Sequence, residues 1–202
     1  MPKDTFHNLH THKKDKITQA IIDELSLNTY EHINIANIIR DSNISRGSFY
    51  QYFEDKEDLY KYFISYVGKI KYDMFYDLFD VNIDMPFVER LKKMYLRSFM
   101  FAQKYPKLVR AGYHFTQSVV FKQSETYEQI AKSGLDFFIE LIDKDQKLGL
   151  IRSDIDKVLL ATAIIEYMNK MDADHYITPH STPEDIEKRI DFIIDLMRRG
   201  IE

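Results

Sequence analysis

Residues 43–53 read NISRGSFYQYF, and the fold turns on what this stretch is built to touch. If Ser45 starts a helix, that helix holds a glycine, Arg46 near its start, and four aromatics between positions 49 and 53. A helix that only fills a core has little use for Gly47, or for Ser45, Arg46, Ser48 and Gln51 between its aromatics. Upstream, Asn34 is a suitable N-cap for a helix running to Ser42, with Ile35, Ile38 and Ile39 turned inward. Asn43 tolerates the positive φ that the turn requires. Two helices of about eight residues joined by DSNIS have the spacing of a helix-turn-helix. Ile44, Phe49 and Phe53 then face a small core. Ser45, Arg46, Ser48, Tyr50 and Gln51 lie on the outer side, as donors of the kind that grip phosphates and read base edges. Gly47 lets another surface come close to the backbone. Lys56 opens the next helix and adds a phosphate partner, together with that helix's N-terminal N–H groups.

Around this stretch the chain is helical throughout. Gly and Pro are scarce, at 6 and 5 of 202 residues, and no strand alternation of any length occurs, so the expected fold class is all-α. Ile17, Ala20, Ile21 and Leu25 fit one face of a helix over 13–27. Residues 1–11 carry no pattern and are expected to be mobile. EDKED at 54–58 pairs Asp55 with Asp58 in capping-box spacing. The helix it opens carries the stripe Leu59, Phe63, Val67, Ile70 and Met74, and DVNIDMP at 80–86 breaks it. Further helices are expected to about Lys104, over roughly 124–148, and from Ser153 or Asp154 onward. The last begins with Thr182 as N-cap, Pro183 at its first position and Asp185 at its third.

A hydrophobic fraction of 45% supports a real core. No uncharged apolar run reaches the roughly 18 residues of a membrane span. The polar N-terminus lacks the apolar segment of a secretory signal, so a cytoplasmic location is the default expectation. Cysteine is absent, which excludes disulfides and Cys-based metal sites. The net charge of −4 does not advertise nucleic-acid binding, though a local basic surface suffices for it.

Residues 34–63, NIANIIRDSNISRGSFYQYFEDKEDLYKYF, resemble the DNA-binding signature of the tetracycline-repressor (TetR) family. The match is nearly continuous from Asn43 to Leu59. YEHINIANI at 30–38 matches more loosely, and GLIRSDID at 149–156 is similar to a linker that many members carry before their dimerisation helices. The resemblance implies a homodimeric transcriptional regulator, a repressor that binds a palindromic duplex DNA operator and is released by a small apolar or aromatic effector. No cofactor, metal or membrane is implied. The implied division is a helix-turn-helix domain over 1–58 and a ligand-binding and dimerisation domain over 59–202. By position, Asn34, Ser45, Arg46, Gly47, Ser48, Tyr50, Gln51 and Tyr52 would sit on DNA, and Lys56 on a phosphate. Ala36 stands where many members carry a long polar residue, which leaves Asn37 as the substitute reader from the first motif helix.

Two C-terminal stripes, Val158, Ala161, Ile165 and Met168, and Ile186, Ile190, Ile193 and Met197, fit either a four-helix dimer interface or their own core. The resemblance favours the interface. With 14 Tyr and 14 Phe, the aromatics of the middle segment fit either core filling or a cavity wall. The family's regulatory pocket lies there, with Phe99, Tyr113, Phe121, Tyr127 and Tyr167 as the expected lining. His7, His10 and His12, and His175 with His180, read as polar segments before metal sites. No phosphate loop, nucleophile elbow or HExxH motif speaks for an enzyme. The reading from another class is a helical protein-interaction adaptor that no longer binds DNA.

Overall fold

The computed structural model describes residues 2–174 and 182–201. Among them every regular element is helical: α1 (Asp4–His7), α2 (Thr11–Leu25), a 3-10 turn at Tyr30–His32, α3 (Ile35–Ser42), α4 (Arg46–Tyr52), α5 (Lys56–Phe79), α6 (Phe87–Lys104), α7 (Pro106–Gln117), α8 (Val119–Lys122), α9 (Glu125–Lys147), α10 (Lys157–Asp174) and α11 (Pro183–Ile201). The all-α expectation holds. The chain divides into two compact units, Met1–Asp73 with Lys107–Phe121, and Met74–Pro106 with Lys122–Glu202. This partition does not fall at residue 58, and it gives the first unit a segment from the middle of the chain.

In the first unit, Ile17, Ile21, Leu25, Ile38, Phe49 and Phe53 form the small core that joins α2, α3 and α4. Residues 1–11 do not behave as an unpatterned tail. Asp4–His7 forms α1, which packs on α4 and buries Phe6 completely. One aromatic in a four-residue helix is too short a signal for periodicity, so the sequence reading missed it. Leu59 and Phe63 on α5 are buried as their spacing requires. The Lys107–Phe121 segment is held by Glu31, whose carboxylate accepts from the Ser118 hydroxyl at 2.7 Å and the Val120 N–H at 3.3 Å. The Ser118 hydroxyl lowers the Glu31 carboxyl to about 2, with backbone N–H groups adding to the effect. Tyr60 stacks on Phe115 in the same unit, and burial pushes its hydroxyl pKa up.

In the second unit, α9 packs on α10, and α6 packs on α11. The breaks between helices are closed from a distance. Arg90 on α6 is buried and donates to the carbonyls of Leu78 at 2.8 Å, Asp80 at 2.9 Å and Ile83 at 2.8 Å, which ends α5. Burial lowers the Arg90 pKa. Asp145 on α9 accepts the Phe87 N–H at 2.7 Å and so caps α6. Gly149, at φ 72, supplies the left-handed residue after α9. The next helix begins later than Ser153 or Asp154. Asp156 accepts from the N–H groups of Val158 and Leu159 and is the cap. Thr182 and Asp185 form the expected reciprocal cap of α11.

Candidate nucleic-acid interface

The helix-turn-helix is fixed by three local devices. Asn34 caps α3 by accepting from the Ala36 N–H at 3.0 Å. Asn43 takes φ 55 and ψ 48, which lets the chain leave α3 sharply, and Ile44 N–H closes the turn onto the Ile39 carbonyl at 3.2 Å. Ser45 caps α4 by accepting from the Ser48 N–H at 3.0 Å, with the two hydroxyls 2.9 Å apart.

These devices set the outer face of α4. Ser45, Arg46, Gly47, Tyr50 and Gln51 are exposed, and Ser48 is half-buried beside them. The Arg46 guanidinium lies 5.8 Å from the Tyr50 ring centroid, one helical turn away, so the cation rests along the outer face. A Cβ at Gly47 would meet nothing nearer than the Ser45 hydroxyl at 3.8 Å. The chain's own packing therefore does not require glycine there.

Tyr52 does not join that face. Its side chain is buried, 6.0 Å from the Phe6 ring, because α1 covers it. Asn37 is also tied down: its amide donates to Glu24 Oε2 at 3.0 Å. Glu24 is buried and accepts in addition from the Asn34 N–H at 2.8 Å and the Asn28 amide at 3.0 Å. It thereby joins α2 to the start of α3. Nothing in the local sequence marks Glu24, because its partners lie up to thirteen residues away. Ala36 is exposed and offers only a methyl group. Lys56 stands half-buried at the first position of α5. The Asp58 N–H of that helix is taken by Asp55 at 2.9 Å, so fewer N–H groups face outward than the sequence suggested.

The five expected effector-lining residues are divided between the units. Tyr113 and Phe121 belong to the first, where Phe121 is buried with its ring centroid 3.6 Å from that of Phe115. Phe99, Tyr127 and Tyr167 belong to the second, where Phe99 is buried and Tyr167 meets Tyr95 edge-on at 6.2 Å.

The two C-terminal stripes separate as well. Ala161, Ile186 and Ile190, expected at an interface, are buried within their own unit. The α11 stripe faces inward because α11 packs on α6. Ile165, Ile193 and Met197 are half-buried, while Val158 is exposed. The large apolar residues left in solvent include Leu159 at 69% exposure on α10, and Phe192 at 68% and Leu196 at 61% on α11. His7, His10 and His12 are all exposed, and no cluster of three or more potential metal ligands occurs among the described residues. His175 and His180 lie outside them. No helix among the described residues is long and apolar enough to cross a membrane.

Residues 17–63 match the family model described as bacterial regulatory proteins, tetR family. A search of curated proteins finds no match. The fold is that of a TetR-family transcriptional regulator from Chloroflexus aurantiacus J-10-FL, with a TM-score of 0.80 at 23% identity over 100% of this chain and 98% of that one. It is shared by the transcriptional regulator FadR from Bacillus subtilis in complex with stearoyl-CoA, at a TM-score of 0.74 and 17% identity over 93% and 99% of the two chains. AibR in complex with isovaleryl coenzyme A and operator DNA matches at 0.72 and 17% identity over 91% and 97%. Residues 17–63 thus carry the DNA-binding segment of that family, and the chain has the fold of the TetR-family regulators it is similar to.

Proposed function

We propose that the protein binds a palindromic DNA operator as a homodimer, represses transcription there, and is released by an acyl-type effector. The observation that carries this reading is the outer face of α4. Ser45, Arg46, Ser48, Tyr50 and Gln51 present hydroxyl, guanidinium and amide groups around a glycine that internal packing does not need. Such a face suits close approach to a major groove. Residues 1–58 supply the DNA contacts, and residues 59–202 the effector site and the pairing surface.

Leu159, Phe192 and Leu196 support pairing, because large apolar side chains left exposed on helices favour burial against a partner. They replace Ala161, Ile186 and Ile190 as its centre, and Val158 stays at its edge. The effector class is drawn from likeness to FadR and AibR, whose structures hold acyl-coenzyme A molecules. An apolar acyl chain also suits the aromatics of the second unit, where Phe99, Tyr127 and Tyr167 are candidate contacts.

The test is selection of duplexes from a random pool, followed by titration at two salt concentrations with and without acyl-coenzyme A compounds. A palindrome with half-sites about 34–36 Å apart is expected, with affinity that falls as salt rises. Retention of no duplex overturns operator binding and leaves the protein-interaction adaptor. Retention that no acyl compound weakens overturns the effector class alone.

A further inference from the structure

We propose that the N-terminal helix α1 is a positioning clamp for the DNA-reading helix α4, acting through Lys3, Thr5 and Phe6. The proposal rests on operator binding by α4 as read above. A helix leaves its last four carbonyls without partners of its own. α4 has seven residues, too few to hold itself together without outside contacts. Its first end is fastened by Ser45. At the other end the Phe53 N–H donates to the Phe49 carbonyl at 2.9 Å, which leaves three carbonyls to satisfy. All three are met from one short segment. The Lys3 ammonium donates to the Tyr50 carbonyl at 3.1 Å, the Thr5 hydroxyl donates to the Gln51 carbonyl, and the Lys3 N–H donates to the Tyr52 carbonyl at 2.9 Å.

Phe6 anchors these contacts. Its ring is wholly buried, 5.0 Å from Phe53 and 4.9 Å from Tyr62 on α5. The Lys3 cation also stands at the negative end of the α4 dipole, where positive charge is favourable. The two residues whose carbonyls receive the side-chain bonds, Tyr50 and Gln51, are among those that face outward to read DNA. Without α1, those carbonyls turn to water and the last turn of α4 frays. The outward side chains then lose their fixed register, although Lys3, Thr5 and Phe6 need touch no DNA themselves.

The test has two arms. In the free protein, hydrogen exchange of the α4 amides is compared across Thr5→Val, which keeps the volume and removes the donor, Thr5→Ser, which keeps the donor, and Phe6→Ala. Exchange at Phe49 to Phe53 should quicken about tenfold in Thr5→Val, the scale of one lost hydrogen bond, and more in Phe6→Ala. Thr5→Ser should match the parent, and α3 amides should not change. In the second arm, Thr5→Val should bind the selected operator about tenfold more weakly while its affinity for random duplex and its salt slope stay fixed, because no charge is removed. Parent-like α4 exchange in Thr5→Val overturns the clamp, as does weakening shared equally by operator and random duplex. A parent that binds no duplex overturns the operator reading, and the exchange arm then decides the clamp by itself.

Discussion

The Glu31 carboxylate accepts the Ser118 hydroxyl at 2.7 Å and so fastens the turn before α3 to the segment between α7 and α8. These residues are 87 positions apart in sequence and lie in one compact unit. Because the Ser118 hydroxyl, followed by backbone N–H groups, holds the Glu31 carboxyl down to about 2, the contact favours the ionised form. A depressed folded-state pKa contributes stability that is present above the ordinary value of 4.5 and is lost as pH falls through about 2. Glu31→Gln should therefore flatten the pH dependence of unfolding in that window and leave its slope at neutral pH unchanged. Urea midpoints measured from about pH 6 downward check this, and superimposable profiles for the two proteins would remove Glu31 from the account.

Arg46→Ala should cost about 1–3 kcal/mol of operator affinity and relax preference at one position per half-site. Lys56→Ala should weaken binding to all sequences alike and shallow the salt slope by about one unit. Electrophoretic titration on matched and scrambled duplexes separates the two effects. Parent-like binding by both variants would place the DNA-contacting surface elsewhere.

Substitution on the two sides of α11 should have opposite consequences. Phe192→Glu with Leu196→Glu alters residues that stand in solvent, so the chain should stay helical and sediment as a monomer. Ile190→Asp alters a fully buried residue and should cost at least the roughly 2–5 kcal/mol of a truncated core aliphatic, shown by a lowered unfolding midpoint. A Phe192, Leu196 double variant that remains dimeric would rule out this pairing surface.

Glu24→Ala removes the acceptor shared by Asn28, Asn34 and Asn37. It should destabilise the first unit by about 1–3 kcal/mol, because the donors left behind are partly buried. Denaturant titration followed by near-ultraviolet tyrosine signals would register the loss. A midpoint within error of the parent would show that water replaces the carboxylate without cost.

Legibility in the sequence followed the range of the interactions. Asn34, Asn43 and Ser45 act on groups within a few residues of themselves, so caps and turn could be read directly and the helix-turn-helix emerged at its observed boundaries. The stripe on α11 was legible as a stripe, but its partner was not. Periodicity locates Ile186 and Ile190 on one face without saying whether α6 or a second chain covers it. The outward direction of Phe192 follows only once α6 is in place. The packing of Tyr52 and the hydrogen bond of Asn37 were illegible for the same reason. Each residue lies beside outward-facing positions, and each is claimed by a residue far away in sequence, Phe6 and Glu24 respectively. Asp156 displaced Ser153 and Asp154 as a cap because all three are acceptable N-cap types, and the bend after Gly149 decides among them.

The interleaving of the two units along the sequence bears on how this chain can be recombined. A chimera that joins residues 1–58 to another protein would sever the helix-turn-helix from Tyr60 and from the segment Lys107–Phe121. It would inherit α4 without the carboxylate–hydroxyl fastening at Ser118. Transplanting the whole first unit therefore calls for a graft in two pieces, 1–73 together with 107–121. A ribosome making the native chain likewise releases all of α6 before the first unit has its last residues.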